Sequence, residues 1–93
     1  MGQNQIDKFL ETLTIPDVLR ALAALWDDPQ PEGFREPEGH ALFFMEKSFP
    51  VRAIVTFAAR ERDGTDLPRR GFENRDQRCE DELKRLKFDV RDV

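Results

Sequence analysis

The chain has 93 residues, 37% of them charged and 39% hydrophobic, which is enough for one small domain. Its net charge of −4 is uneven: residues 1–50 hold four Lys/Arg against nine Asp/Glu, and residues 51–93 hold eleven against ten. Neither half offers the basic surface that nucleic acid requires, the single Cys79 excludes an internal disulfide and a multi-cysteine zinc site, and no run approaches the ~20 apolar residues of a membrane span.

The opening MGQNQIDKFL has no basic start and no long apolar core. It therefore does not read as a secretory signal, and the protein is expected to be cytoplasmic. Gly2 is followed by Ile6 where a myristoylation signal carries Ser or Thr. Residues 4–26 read as helix in two pieces. Ile6, Phe9, Leu10 and Leu13 follow helical spacing, and so do Val18, Leu19, Leu22, Leu25 and Trp26. Thr14 caps the second piece, and Pro16 falls in its first turn, where a missing N–H costs nothing. The pair is either a core-facing amphipathic unit or a docking surface for a partner. Residues 27–39, with three prolines, two glycines and five acids, read as a linker.

Two apolar runs follow, His40–Met45 and Ala53–Ala59, separated by Pro50. The second is almost continuously apolar and reads as a strand buried on both faces. Residues 60–73 read as a long polar loop with a turn at Asp63-Gly64. Asn74 as N-cap, with Gln77 at capping-box spacing, opens a helix over 74–87. Cys79, Leu83 and Leu86 lie on one face of it, and Glu80–Lys84 form an i, i+4 pair. Phe88, Val90 and Val93 then mark a short half-buried strand. Strand, loop, helix and strand make a βαβ unit, with parallel strands and a right-handed crossover. The expected class is α/β with a mostly parallel sheet, preceded by an N-terminal helical segment.

Chemistry is sparse. Cys79 falls on an apolar helix face and reads as a small core residue rather than a nucleophile. His40, the only histidine, lies at the start of the first apolar run, so a Cys79–His40 dyad is not expected. Asp27/Asp28 and Asp81/Glu82 are sequence neighbours that point apart and make poor acid–base pairs. No catalytic residue, metal ligand or cofactor site is expected. The six arginines from Arg60 to Arg78 are interleaved with five acids, which leaves little net field for an anionic ligand.

One stretch carries a resemblance. Arg69-Arg70-Gly71, the helix from Asn74 to Lys87, and Leu86-Lys87-Phe88-Asp89-Val90 resemble the Arg-x-Gly turn, first helix and second strand of the caspase large subunit. The chain departs from that pattern at Phe72 and Glu73, and at Lys87, where the family commonly has glycine. The family's first strand falls either on the run from His40 or on Arg52–Arg60. The resemblance implies residues 37–93 as the start of a caspase-like sheet and residues 1–36 as a pro-segment and linker. It implies that Arg69 lines the pocket for a substrate aspartate, since a guanidinium offers a carboxylate two planar donors. The parent would be an aspartate-directed cysteine endopeptidase of apoptosis or inflammation. This chain would be an inactive N-terminal part of it, ending before the catalytic His and Cys. Two alternatives stand beside that reading: a complete non-catalytic caspase-like regulator, and a small α/β interaction domain. The regulator would bind a caspase or other protein partner through the N-terminal helices or an open sheet edge, and the interaction domain, unrelated to caspases, would use the Arg60–Arg78 segment on an acidic ligand, with no role for nucleic acid or membrane in either.

Overall fold

A computed structural model of the protein describes residues 5–28 and 40–92, apart from the side chains of Arg69, Arg70 and Asp92. In chain order these residues form α1 (Gln5–Glu11), α2 (Ile15–Leu25), β1 (His40–Phe44), β2 (Lys47–Phe49), α3 (Val51–Asp63), a 3-10 turn (Arg69–Phe72), α4 (Asp76–Arg85) and β3 (Asp89–Asp92). The result is a small α/β domain with four helices and a three-stranded antiparallel sheet. None of these helices is long and apolar enough to cross a membrane.

The break between α1 and α2 falls where Thr14 and Pro16 place it. Thr14 is extended (φ −124°, ψ 165°), and its N–H and hydroxyl both donate to Asp17 Oδ2 (3.0 and 2.8 Å). Asp17 is also the acceptor of a wider network. Arg20 Nη1 reaches its Oδ1 at 3.2 Å, and Arg62, near the end of α3, donates to both carboxylate oxygens. The same guanidinium donates to the hydroxyl and carbonyl of Thr12 (2.7 Å each) and stacks 4.5 Å from the Phe9 ring centroid. One arginine thus holds the α1–α2 corner to the far end of α3.

The Ala53–Ala59 run is helix, not strand. Pro50 closes β2 and precedes the first turn of α3, and Gly64, left-handed at φ 76°, ends the helix with its N–H on the Arg60 carbonyl (2.9 Å). The run is apolar on every side because α3 is central. Val51, Ala53, Ile54, Val55, Thr56, Ala58 and Ala59 are all buried, with α2, β1 and α4 packed around them. Such a run suits a doubly covered strand or a buried helix equally well. The three alanines and the polar continuation Arg60-Glu61-Arg62 favour the helix. One apolar cluster takes in residues from α1, α2, the sheet, α3 and α4.

The expected parallel crossover is therefore absent from the described residues. β1 and β2 form a hairpin in the register Leu42↔Phe49, turning at Met45-Glu46 with both φ positive (49° and 68°). That is the handedness a two-residue hairpin needs. β3 pairs antiparallel with β1, Leu42 opposite Val90, giving the strand order β2-β1-β3. Two helices, not one, separate β2 from β3, so the connection is not a βαβ unit. Leu42, Phe49 and Val90 share the face turned to the helices. Trp26 packs edge-on to Phe44 (centroids 6.5 Å apart), and Lys47 caps it, its Nζ 4.3 Å from the ring and 2.8 Å from the Trp26 carbonyl.

The helix expected from Asn74 begins two residues later. Asn74 is left-handed (φ 62°), a conformation Asn tolerates. Arg75 is the N-cap, and Gln77 bonds Asp81 (2.9 Å) instead of closing a capping box. Arg52 reaches across from α3 to grip Asp76 with two bonds (2.7 and 2.9 Å). At the other end Phe88 N–H donates to the Leu83 carbonyl (3.1 Å) and Lys87 N–H to the Lys84 carbonyl (2.9 Å). This is a Schellman closure with Lys87 at φ 73°.

Two stability predictions follow from this geometry. Burial, the largest single influence, pushes the Asp17 carboxyl up. The Arg62 hydrogen bond, the Thr14 hydroxyl and amide, and the Arg62 charge together outweigh it and hold the group below the usual carboxylate range. A depressed folded-state value contributes stability that is present above the unfolded value near pH ~4 and is lost as pH falls through the folded one. Asp17→Asn should cost roughly 2–4 kcal/mol at pH 7, with the gap to wild type closing below pH ~4 as urea melts are taken into acid. Lys87→Gly should raise stability by about 1 kcal/mol by relieving a left-handed side-chain residue, read as a higher urea midpoint.

Candidate functional site

The local chemistry of α4 determines which groups remain available. Cys79 is fully buried on its inner face. Burial, and then the negative charge of Asp76, push its thiol up to about 12, with Arg52 opposing. A thiol so placed is protonated at neutral pH and is not a nucleophile. Beside it Glu80 is buried, with His40 Nδ1 2.9 Å from its Oε1. This contact ties the first residue of β1 to α4. The Nδ1 side of the His40 ring is thus turned to Glu80. Among the described residues no three His, Cys, Asp or Glu side chains come together to hold a metal ion.

The arginines between Arg60 and Arg78 are similarly engaged. Arg60 pairs with Asp66 (2.9 Å) and Arg62 with Asp17. Arg75 and Arg78 both approach Asp7 on α1 (3.3 and 3.5 Å), and Arg78 also faces Glu11 (3.9 Å). Each of these four described arginines faces a carboxylate. Arg69 opens the 3-10 turn that leads to α4. Its side chain, the expected contact for a substrate aspartate, lies outside the described part of the structure. The strand expected to end before it is helix α3. Gly71 is buried in the turn, its N–H on the Pro68 carbonyl (2.9 Å).

What remains open is backbone and apolar surface. β3 is a terminal strand of the sheet, with β1 on one side and no pairing partner on the other among the described residues. The Schellman turn at Lys87 delivers it there. Val90 faces the core, whereas Asp89 and Arg91 point to the opposite face, their side chains about half exposed (53% and 62%) and paired at 3.0 Å. Arg91 also lies 4.4 Å from the Phe43 ring centroid on β1. The other terminal strand, β2, has three residues and runs into Pro50, which has no N–H to offer. Among the described residues the large exposed apolar side chains are Ile15 and Leu19, one turn apart on α2, and Met45 at the hairpin tip.

An open sheet edge was one of two docking surfaces expected, beside the N-terminal helices, and no strand was specified for it. It missed the Glu80–His40 contact and the Asp17–Arg62 network. The Thr14-x-x-Asp17 spacing was a readable signal for one half of the latter, but its partner stands 45 residues away. Comparison with family models, with curated proteins and with solved structures found no match to this chain.

The buried thiol gives a direct check. Native protein should react with a thiol-specific reagent at pH 8 at least ~100-fold more slowly than urea-unfolded protein, because reaction waits on opening of the α4 packing. Labelling of native Cys79 at the unfolded rate would contradict the placement.

Proposed function

We propose that this chain is a small non-catalytic α/β interaction domain that receives an extended segment of a protein partner along the free edge of β3. The observation that carries the reading is that edge. An unpaired strand offers a row of N–H and C=O groups to any chain that adopts the same extension. The side chains able to do acid–base or nucleophilic chemistry support the same reading by being occupied. Cys79 is buried and protonated, and His40 is engaged by Glu80. The α1–α2 pair is a less suitable docking surface, because Ile6, Leu10, Val18, Leu22 and Leu25 are spent in the domain's own core.

The opening part of a caspase-like endopeptidase is a second reading. It is favoured by one feature: turn, helix and strand succeed one another between Arg69 and Val90 in the order the resemblance implies. The antiparallel sheet gives it no further support. A reading frame that continues past codon 93 without catalytic His and Cys motifs would end it.

A photo-crosslinking amino acid placed in turn at Arg91 and at Leu19 tests the interaction reading in cells. Adducts to protein should form from position 91 and disappear when Val90→Pro removes the N–H that points to the open edge, since Asp89 and Arg91 turn theirs to β1. Adducts from position 19 alone would contradict the edge assignment.

A further inference from the structure

The free edge of β3 has a side-chain pattern that selects its own copy as partner. In an antiparallel pair, residues directly opposite share a face, and like charges opposite one another destabilise the pair. A two-fold axis through Val90 sets Val90 against Val90 of the second copy. Asp89 then lies opposite the second copy's Arg91, and Arg91 opposite its Asp89. On the helix-facing side the row Leu42–Val90, already formed within one chain, is extended by the Val90 and Leu42 of the other. On the outer side, two half-exposed residues of opposite sign each meet their complement.

No neighbouring register does this. Centring the axis on Asp89 or on Arg91 places that charge against itself. Centring it midway between residues sets Val90 against a charged residue of the opposite face, because a one-residue slip exchanges the two faces of a strand. β3 contains no proline and no lysine, two of the usual barriers to edge pairing, although three of its four residues are charged. Its charges alternate in sign, which repels a like-charged strand but matches a two-fold copy of itself.

We infer that two copies of this chain associate through β3, in the register Val90 against Val90, to form one continuous six-stranded antiparallel sheet with the order β2-β1-β3-β3-β1-β2. All helices then lie on one side of the joined sheet. A strand of four residues buries little area, so the association is weak, with a dissociation constant of about 0.01–1 mM. The inference rests on the free-edge reading above and names its occupant.

Charge exchange tests it on the whole 93-residue chain. In sedimentation equilibrium from about 10 μM to 1 mM, wild type should rise from the 10.9 kDa monomer toward twice that mass. Arg91→Asp and Asp89→Arg, each alone, should weaken self-association at least ~10-fold, since both cross-strand pairs become repulsive. Mixed in equal amounts, the two variants should form a heterodimer of wild-type strength, because each copy then opposes two arginines to two aspartates. Circular dichroism of each variant should match wild type, and the mixture carries the test where one variant alone is perturbed. A chain that stays monomeric at 1 mM, or a dimer that tolerates both single changes, overturns the proposal. So does a mixture that associates no better than its components. Position-91 crosslinks to a different protein, with a strictly monomeric chain, would overturn self-pairing while sparing the recruitment of a partner strand.

Discussion

The contact between Arg62 and Asp17 organises this small domain. Asp17 caps its own helix through Thr14, and that leaves a buried carboxylate needing a counter-charge. Arg62 supplies it from the opposite end of α3 while also closing on Thr12. A buried acid without its partner would be costly, so the two helices are fixed in register as well as held together. With α3 locked against the α1–α2 corner, its apolar faces become the floor on which the sheet and α4 rest. Arg52 then repeats the device at the other end of α3, gripping Asp76 at the start of α4.

Much of the helical layer was legible in the sequence. Spacing located α1 and α2, and Thr14 with Pro16 located their boundary, because caps and N-terminal prolines are local effects. The body of α4 and the short strand after it were legible for the same reason. The sheet was not. Ala53–Ala59 reads as strand or helix according to what surrounds it, and its surroundings were set by residues far away in sequence. In the structure that run is helical, and β3 pairs antiparallel with β1. The hairpin at Met45-Glu46 was hidden too, since neither residue is one that left-handed turns favour. The left-handed turn at Lys87 was hidden for the same reason, since a lysine does not signal one.

The margin formed by β3 was not legible, because it follows from a pairing with β1 in which Phe43 meets Asp89, far away in the sequence. In the structure Cys79 is a buried, protonated thiol, His40 lies against Glu80, and Arg60, Arg62, Arg75 and Arg78 face carboxylates. Under the interaction reading, the backbone at the sheet margin is the recognition element. β3 presents it because the Schellman turn ends α4 cleanly and releases the chain at the sheet margin. The short β2, followed by Pro50, is blunted by comparison.

Amide hydrogen exchange along β3, measured at low micromolar concentration where a weak edge contact is undone, tests the central claim most directly. Every second amide should be protected by β1 and those between should exchange at nearly the rate of an unstructured chain, while the amides of residues 53–59 are uniformly slow. Uniform protection along β3 in that dilute sample, or a strand-like alternation across residues 53–59, would contradict the account.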